Sequence, residues 1–280
     1  SRSFPAGARR QHSCWPPNPM MALPHEEECL ILKPLDFREK DRILTFLAAT
    51  QGKHSGVLFG AKSIRSKNLG VSEPFVLARI QFSERLHSEM VRIHHAEVIR
   101  SHIGLRRNYQ ALLHASYCAE LALLSEIPPQ DAPVCFRILL EVIERLEAGS
   151  PPEEAKLVFE LNFLKMLGVL PDFERCGVCD RTVGKASGAS GGQTVPEMLH
   201  QLDARLGGVR CPQCVTRHSD VAPLAPGTLR FVQARMQLPG SNGVRPTRSN
   251  LRELDRALFT YLRSHLGREP KSHALLTNQR

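Results

Sequence analysis

The sequence predicts an α+β protein in which a small closed β-barrel precedes a helical domain with an inserted lobe. Three observations predict this order. Apolar residues alternate with a period of two between residues 29 and 100, they recur with helical spacing after Gly104, and both periods are lost between residues 174 and 220. The length of 280 residues suits about two units with a small insertion. No apolar run approaches the ~20 residues of a membrane-spanning helix, which excludes that class.

The N-terminal part is expected to be a disordered leader followed by the barrel. Residues 1–27 contain several prolines and no apolar segment of the secretory type, and Met20 or Met21 is a candidate natural start. A barrel is predicted over residues 28–103, because five short alternating runs are separated by turn residues. The five predicted strands lie at residues 30–32, 42–49, 54–61, 75–82 and 90–98.

Helical spacing of apolar residues predicts a bundle over residues 104–173. The third helix of this bundle has two start signals. Ser150 and Glu153 have the spacing of a capping box, and a proline stands at the first helical position. Two later helices are expected to pack on the first three, and a tail is expected to follow them. These helices are predicted at residues 229–238 and 251–266 within the segment 221–270, and the tail at 271–280.

Four of the eight cysteines form two C-x-x-C pairs, which are 31 residues apart in the segment 174–220 and separated by a Gly/Ser-rich loop at 184–193. Two such pairs predict one structural zinc ion per chain, because four thiolates leave no open position for catalysis. Without a secretory signal, paired cysteines favour a reducing compartment and metal binding. Redox-active or free pairs are the alternative, with His200 and His218 as substitute ligands. The predicted zinc ligands are Cys176, Cys179, Cys211 and Cys214.

The charge of the chain is unevenly distributed. The net charge is +9, and residues 30–110 carry 14 basic and 7 acidic side chains, residues 111–173 carry 4 and 10, and residues 174–280 carry 16 and 8. A basic excess of this kind indicates polyanion binding, although a solvated basic surface gives the same count. A small barrel with a cationic face suits single strands. The candidate DNA-binding residues are Lys33, Arg38, Lys40, Arg42, Lys53, Lys62, Arg65, Lys67, Arg79 and Arg92.

Few aromatic residues accompany these cations. The barrel contains Phe37, Phe59, Phe75 and Phe82, some of which its core requires, so binding is expected to depend on the phosphate backbone and on salt. Residues 56–63 are similar to a phosphate-binding loop, but their glycine spacing is one residue short and they lie on a strand, so ATP binding is rejected. No nucleophile elbow or acid cluster is found, and an enzyme is not expected. The alternatives are an RNA-binding or ribosome-associated zinc protein and a metal-dependent hydrolase or nuclease.

The order of barrel, bundle and four-cysteine lobe resembles the RecO family of bacterial recombination mediators. The resemblance covers roughly residues 28–266, and Arg38 stands where the family usually has glycine. The last matching segment runs into Pro171 and the first cysteine pair, as the family's last bundle helix does. The matching segments are residues 32–42 (LKPLDFREKDR), 51–53 (QGK), 60–63 (GAKS) and 159–168 (FELNFLKMLG).

The resemblance implies an OB-fold barrel that binds single- and double-stranded DNA and anneals complementary strands. It also implies, together with RecR, the loading of RecA onto DNA coated by single-stranded-DNA-binding protein, in the cytoplasm at the nucleoid and without breaking a covalent bond. Recruitment by the acidic C-terminal tail of that coating protein needs a basic, partly apolar pocket, although exposed helix arginines are also common without a partner. The candidate partner-binding residues are Arg230, Arg235, Arg252 and Arg256.

Overall fold

The computed structural model of the chain describes most of the predicted elements. Most of the predicted leader and of the Gly/Ser-rich loop lies outside the described residues, and so do Arg65 and Lys67. No helix among those described is long and apolar enough to cross a membrane. The described residues are 24–63, 70–85, 87–184, 199–237 and 246–277.

Five strands form the predicted closed barrel, in the order β1-β2-β3-β5-β4. Neighbouring strands are antiparallel, except that β3 and β5 are parallel. Residues of β1 alternate between two cores: Cys29 and Ile31 belong to the barrel's internal cluster with Phe46, whereas Leu30 and Leu32 belong to the cluster of the helices. The strands are β1 (His25–Asp36), β2 (Arg42–Ala48), β3 (Gly52–Leu58), β4 (Leu77–Arg85) and β5 (Ser88–Arg100).

The first strand begins earlier than predicted. It starts at His25, inside the predicted leader, and its acidic residues pair with β4 through Glu27 opposite Ile80 and Glu28 opposite Arg79. The sequence gives no local signal for this extension, because three consecutive glutamates form a strand only when a partner strand is available. The barrel boundary at residue 28 is therefore three residues late.

In the part of the chain that the structure describes, six α-helices follow the barrel, after a 3₁₀ segment at Ile103–Arg107. The third begins at Pro152, so the proline at its first position is confirmed, but its N-cap is Pro151 and the predicted capping box of Ser150 does not form. The predicted tail contains a short helix, whose first N–H groups donate to the Glu120 carboxylate. The helices are α1 (Tyr109–Leu124), α2 (Ala132–Glu147), α3 (Pro152–Met166), α4 (Pro226–Gln237), α5 (Arg248–Leu266) and α6 (Lys271–Thr277).

A buried ionic cluster joins α5 to α3 and α1. The predicted packing on the first helices thus applies to α5, whereas α4 packs mainly against α5 and strand β6 (Asp172–Cys176). Lys156 of α3 lies 2.7 Å from Glu160 and 2.8 Å from Asp255 of α5, and all three side chains are buried. The hydroxyl of Tyr117 on α1 donates to Glu160 at 2.8 Å. Three helices therefore share one network of charged hydrogen bonds.

The cysteine segment forms a small sheet between α3 and α4. Its strand order is β6-β8-β7-β9, and β9 packs against α5. The strands are three to five residues long, which is too short for a periodic pattern in the sequence. They are β6 (Asp172–Cys176), β7 (His200–Asp203), β8 (Gly208–Arg210) and β9 (Val221–Leu224).

The barrel is held on the helices by polar contacts as well as by its apolar residues. The Lys53 ammonium donates to three carbonyl groups at the end of α1, those of Ala122, Leu123 and Ser125, at 3.3, 2.6 and 2.7 Å. On β5, Arg100 contacts the carboxylates of α2 (Glu144 and Glu147) at 3.0 and 2.8 Å. Carbonyls at a helix C-terminus carry partial negative charge, so they attract a cation. Lys53 therefore serves the contact between the barrel and α1.

Candidate nucleic-acid interface and metal centre

One outer face of the barrel is built from β1, β2, β3 and β5. The strand register places four residues side by side in each of two rows across this face, with a cation at one end of each row. Between the two cations the face carries hydroxyl and partly exposed apolar side chains. The rows are Lys33–Thr45–Ser55–Met90 and Leu35–Ile43–Val57–Arg92.

Two loops at one end of this face present exposed aromatic rings. The β1–β2 turn and the segment after β3 are joined by the Gly60 N–H, which donates to Asp41 at 2.9 Å, and by the Lys62 N–H, which donates to the Lys40 carbonyl at 3.1 Å. Phe37 in the first loop is 46% exposed and Phe59 in the second is 58% exposed. The other two phenylalanines of the predicted set, Phe75 and Phe82, are buried. Exposed rings on a cationic barrel are what base stacking requires.

The cations around these loops fall into two groups. Arg42 and Lys62 contact the Asp36 carboxylate at 3.0 and 3.2 Å, and hydrogen bonds from Arg42 and then Lys62 lower the pKa of Asp36. Arg42 also reaches Glu73 at 3.2 Å. The second group is exposed and forms no ion pair within the described part of the chain. It consists of Lys33, Arg38 and Lys40, and the Arg38 guanidinium lies 5.1 Å from the centre of the Phe37 ring.

Three other candidate cations lie elsewhere on the barrel. Arg92 ends one row of the same face, whereas Arg79 lies on β4 between Glu28 of β1 and Glu97 of β5. Lys53 points at the carbonyl groups of α1, and burial lowers its pKa. Because its ammonium is already bound on the helix side, Lys53 does not belong to the exposed face. The sequence could not distinguish Lys53 from the other cations, since the side on which a lysine at the start of a strand is bound depends on the domain packed beside it.

The structure brings together all four predicted zinc ligands. Cys176 ends β6, Cys179 lies in the following turn, and the 3₁₀ turn Pro212–Cys214 joins Cys211 to Cys214. The four sulfur atoms lie within 4.8 Å of one another, and those of Cys179 and Cys211 are 3.7 Å apart. Two sulfurs on a tetrahedral zinc ion with bonds of about 2.3 Å are expected to be about 3.8 Å apart. The donor set and its spacing therefore fit zinc.

Backbone N–H groups favour the thiolate form of the first ligand. The N–H of Cys211 donates to the Cys176 sulfur at 3.3 Å. Burial raises the pKa of Cys176, but hydrogen bonds from the N–H groups of Cys211, Cys179 and Val178 outweigh it and lower the pKa to about 6. Hydrogen bonding with Cys211 and then burial raise the pKa of Cys214 to about 12. Metal binding requires the thiolate form of cysteine. A divalent cation would neutralise the repulsion between neighbouring thiolates and so favour that form at all four positions.

A buried aspartate, for which the sequence provides no signal, supports the cysteine cluster. Asp203 is fully buried. Its carboxylate accepts a hydrogen bond from the Arg210 guanidinium at 2.5 Å and lies 3.3 Å from a ring nitrogen of His218. Arg210 also donates to the Cys214 carbonyl at 3.3 Å, so the aspartate orients the second cysteine turn through it. His200 is buried outside the cluster. The cluster found among the described residues thus contains neither of the substitute histidines.

The four candidate partner-binding arginines lie on α4 and α5. Arg230, Arg252 and Arg256 are exposed, and Arg235 is half-buried. Arg252 lines a groove of about 450 Å³ between the starts of α3 and α5, together with Arg248, Leu251, Glu153 and Glu154. The groove is partly apolar and carries charges of both signs.

Comparisons with known proteins cover both halves of the chain. Sequence models of the N- and C-terminal parts of recombination protein O match residues 21–102 and 106–274. The DNA repair protein RecO of Anaeromyxobacter sp. (strain Fw109-5) is 33% identical over 244 residues, which are 85% of this chain and 90% of that protein. RecO proteins of Geobacter metallireducens and Myxococcus xanthus are 29% and 27% identical, each over 89% of this chain and 95% of the relative. The chain therefore belongs to the RecO family and has its role in DNA repair and recombination.

Proposed function

We propose that this chain is a recombination mediator that binds single- and double-stranded DNA and anneals complementary strands. With RecR, it would help load RecA onto DNA coated by single-stranded-DNA-binding protein, in the cytoplasm at the nucleoid. Membership of a DNA repair family supports the proposal. The observation that carries it is the pair of exposed rings, Phe37 and Phe59, beside Arg38 and Lys40, which form no ion pair among the described residues.

The face can bring strands together without covalent chemistry. Unpaired cations neutralise phosphates, which removes the repulsion between two approaching strands. Two exposed rings can stack on bases of any sequence, so most base edges stay available for pairing with a second strand. Annealing then requires no nucleotide hydrolysis. We assign phosphate binding on this face to Lys33, Arg38, Lys40 and Arg92. Arg42 and Lys62, which are paired with Asp36, stay candidates, as do Arg65 and Lys67 from the sequence.

We assign a structural role to the cysteine cluster. Cys176, Cys179, Cys211 and Cys214 would hold one zinc ion, whose closed shell supplies the cross-link that a sheet of three- to five-residue strands needs. The contact of Arg210 with the Cys214 carbonyl would keep the second pair in place.

A partner surface follows from the groove at the start of α5. The acidic C-terminal tail of single-stranded-DNA-binding protein needs cations beside an apolar surface, and Arg248 and Arg252 lie there next to Leu251. We propose this groove for the tail and keep Arg230, Arg235 and Arg256 as further candidates from the sequence.

The proposed function is tested by charge-neutralising variants on and off the face. Lys40→Gln and Arg79→Gln each remove one positive charge, but Arg79 lies between two glutamates on β4. At low salt, fluorescence anisotropy is expected to show weaker binding of a DNA oligomer by Lys40→Gln than by Arg79→Gln, and slower strand annealing. Equal affinities in two folded variants would refute the assigned face, and tighter binding of a matched RNA oligomer would refute a DNA mediator.

A further inference from the structure

We propose that the bound DNA single strand leaves the barrel across the linker between β5 and α1 (residues 101–109, which include the first residue of α1), where Arg107 contacts a phosphate and Tyr109 stacks on a base. The inference rests on the proposed function and extends its binding surface beyond the barrel. Neither residue belongs to the set of candidates that the sequence pattern indicated.

A continuous series of ion pairs connects the barrel face to this linker. Lys62 and Arg42 share Asp36, at 3.2 and 3.0 Å. Arg42 then shares Glu73 with Arg106 of the 3₁₀ segment, at 3.2 and 3.0 Å. The three cations outnumber the two carboxylates, so the series carries net positive charge from the exposed rings to the linker. A phosphate backbone can follow such a surface.

The linker ends in two side chains for which the described residues provide no hydrogen bond or ion pair. The hydroxyls of Tyr117 and Tyr261, the other two tyrosines of the chain, are hydrogen-bonded and their rings are buried. The Tyr109 ring is 56% exposed, and its hydroxyl has no hydrogen bond within the described part of the molecule. Beside it, Arg107 is exposed and forms no ion pair with any described carboxylate.

The backbone that carries these two side chains is fixed. His102 adopts a left-handed conformation with φ of 44°, and its buried ring contacts the Phe75 carbonyl at 2.8 Å. The Gly104 N–H donates to Glu147 at 3.0 Å. Asn108 caps α1 by accepting from two N–H groups, at 3.0 and 3.2 Å. Exposed residues on a preorganised backbone lose little conformational entropy when a ligand binds.

Charge favours a nucleic-acid occupant over an acidic or a basic peptide surface. Carboxylates that contact the linker or the end of β5 are already paired, Glu73 with Arg42 and Arg106, and Glu144 and Glu147 with Arg100. Arg107 is therefore free to bind a phosphate, and the aromatic ring beside it offers a face for a base. A cation next to an aromatic face is the recurring element of surfaces that bind single strands.

The test compares two lengths of oligo(dT) in fluorescence anisotropy at fixed low salt. One oligomer of about 8 nucleotides fits on a single barrel, and one of about 30 exceeds the roughly 4–16 nucleotides of an OB-fold site. Tyr109→Ala is expected to lower the affinity for the long oligomer about five-fold or more, because stacking is lost, and to lower the affinity for the short one less. Tyr109→Phe keeps the ring and is expected to bind like the unmodified protein, while Arg107→Gln should also weaken the long oligomer.

The outcomes separate this inference from the proposed function. Three results would overturn the linker path. They are unchanged affinity of Tyr109→Ala for the long oligomer, equal losses of affinity for the two lengths, and the same loss of affinity in Tyr109→Phe as in Tyr109→Ala. Lys40→Gln reports the barrel face independently, so a loss there with none at Tyr109 would leave the proposed function intact. In the unmodified protein, a photoreactive 5-iododeoxyuridine oligomer is expected to cross-link to Tyr109, and cross-links confined to Phe37 and Phe59 would also overturn it.

Discussion

Replacing the buried lysine of the helical domain should destabilise the protein more than replacing any exposed cation. Lys156 contacts Glu160 at 2.7 Å and Asp255 at 2.8 Å, and its ammonium lies 4.7 Å from the centre of the Tyr117 ring. Burial lowers the pKa of Lys156, but the two carboxylates outweigh this and raise it to about 12. The lysine is therefore charged at neutral pH and balances two buried carboxylates.

The size of the effect follows from what Lys156→Met leaves behind. Breaking a buried ion pair costs about 3–5 kcal/mol, because the remaining charge is uncompensated. Two carboxylates share this lysine, so we expect the upper part of that range at pH 7. Burial already raises the pKa of Glu160. Without the lysine the pKa of Glu160 rises further, so the folded variant takes up a proton there as the pH falls. The difference in unfolding free energy between the unmodified protein and the variant should therefore shrink below this raised pKa.

Urea unfolding at pH 7 and pH 5, followed by circular dichroism, measures both the deficit and its pH dependence. A variant that carries Lys156→Met together with Glu160→Gln and Asp255→Asn is the matched control, because it has no buried charge at these positions. It should recover much of the loss. A loss below about 1 kcal/mol for Lys156→Met, or a deficit that grows as the pH falls, would refute the reasoning about uncompensated charge.

Three further variants test the structural assignments. Lys53→Met should lower the free energy of unfolding by about 1–3 kcal/mol, because charged hydrogen bonds to α1 are lost. Its affinity for DNA, measured by anisotropy, should be unchanged, and a folded variant with weaker DNA binding would contradict this. Cys176→Ala with Cys179→Ala should reduce the zinc content from about one ion per chain to none in elemental analysis; zinc below a tenth of an equivalent in the unmodified protein would exclude a zinc site. Asp36→Asn should tighten DNA binding about two- to five-fold at low salt by releasing two cations; weaker binding would show that Asp36 orients them.

The elements that the sequence predicted share one property, which is a local repeat of apolar residues. The barrel strands alternate between two environments and helices α2 and α5 bury one side each, so their period is visible in the chain, whereas α1 and α3 are buried on nearly all sides. The start of β1 at His25 and helix α6 depend instead on distant partners, which are β4 and the Glu120 carboxylate. The four cysteines were predictable because metal binding imposes a fixed spacing. Asp203, its arginine and its histidine come from three separate segments and had no such signal.

The structure also changes what the basic charge of the barrel implies for DNA binding. Lys53 is bound to carbonyl groups and Arg42 and Lys62 to Asp36, so they can release few counterions when DNA binds. Lys33, Arg38, Lys40 and Arg92 are exposed and form no ion pair among the described residues. For single strands each phosphate contact contributes about 0.7 to the slope of log affinity against log salt. Four contacts predict a slope of about −3, whereas the ten cations of the sequence pattern would give about −7. Anisotropy titrations of an oligo(dT) across a salt series decide between these values. A slope of about −4, which six contacts would give, would mean that phosphates displace Asp36 from Arg42 and Lys62.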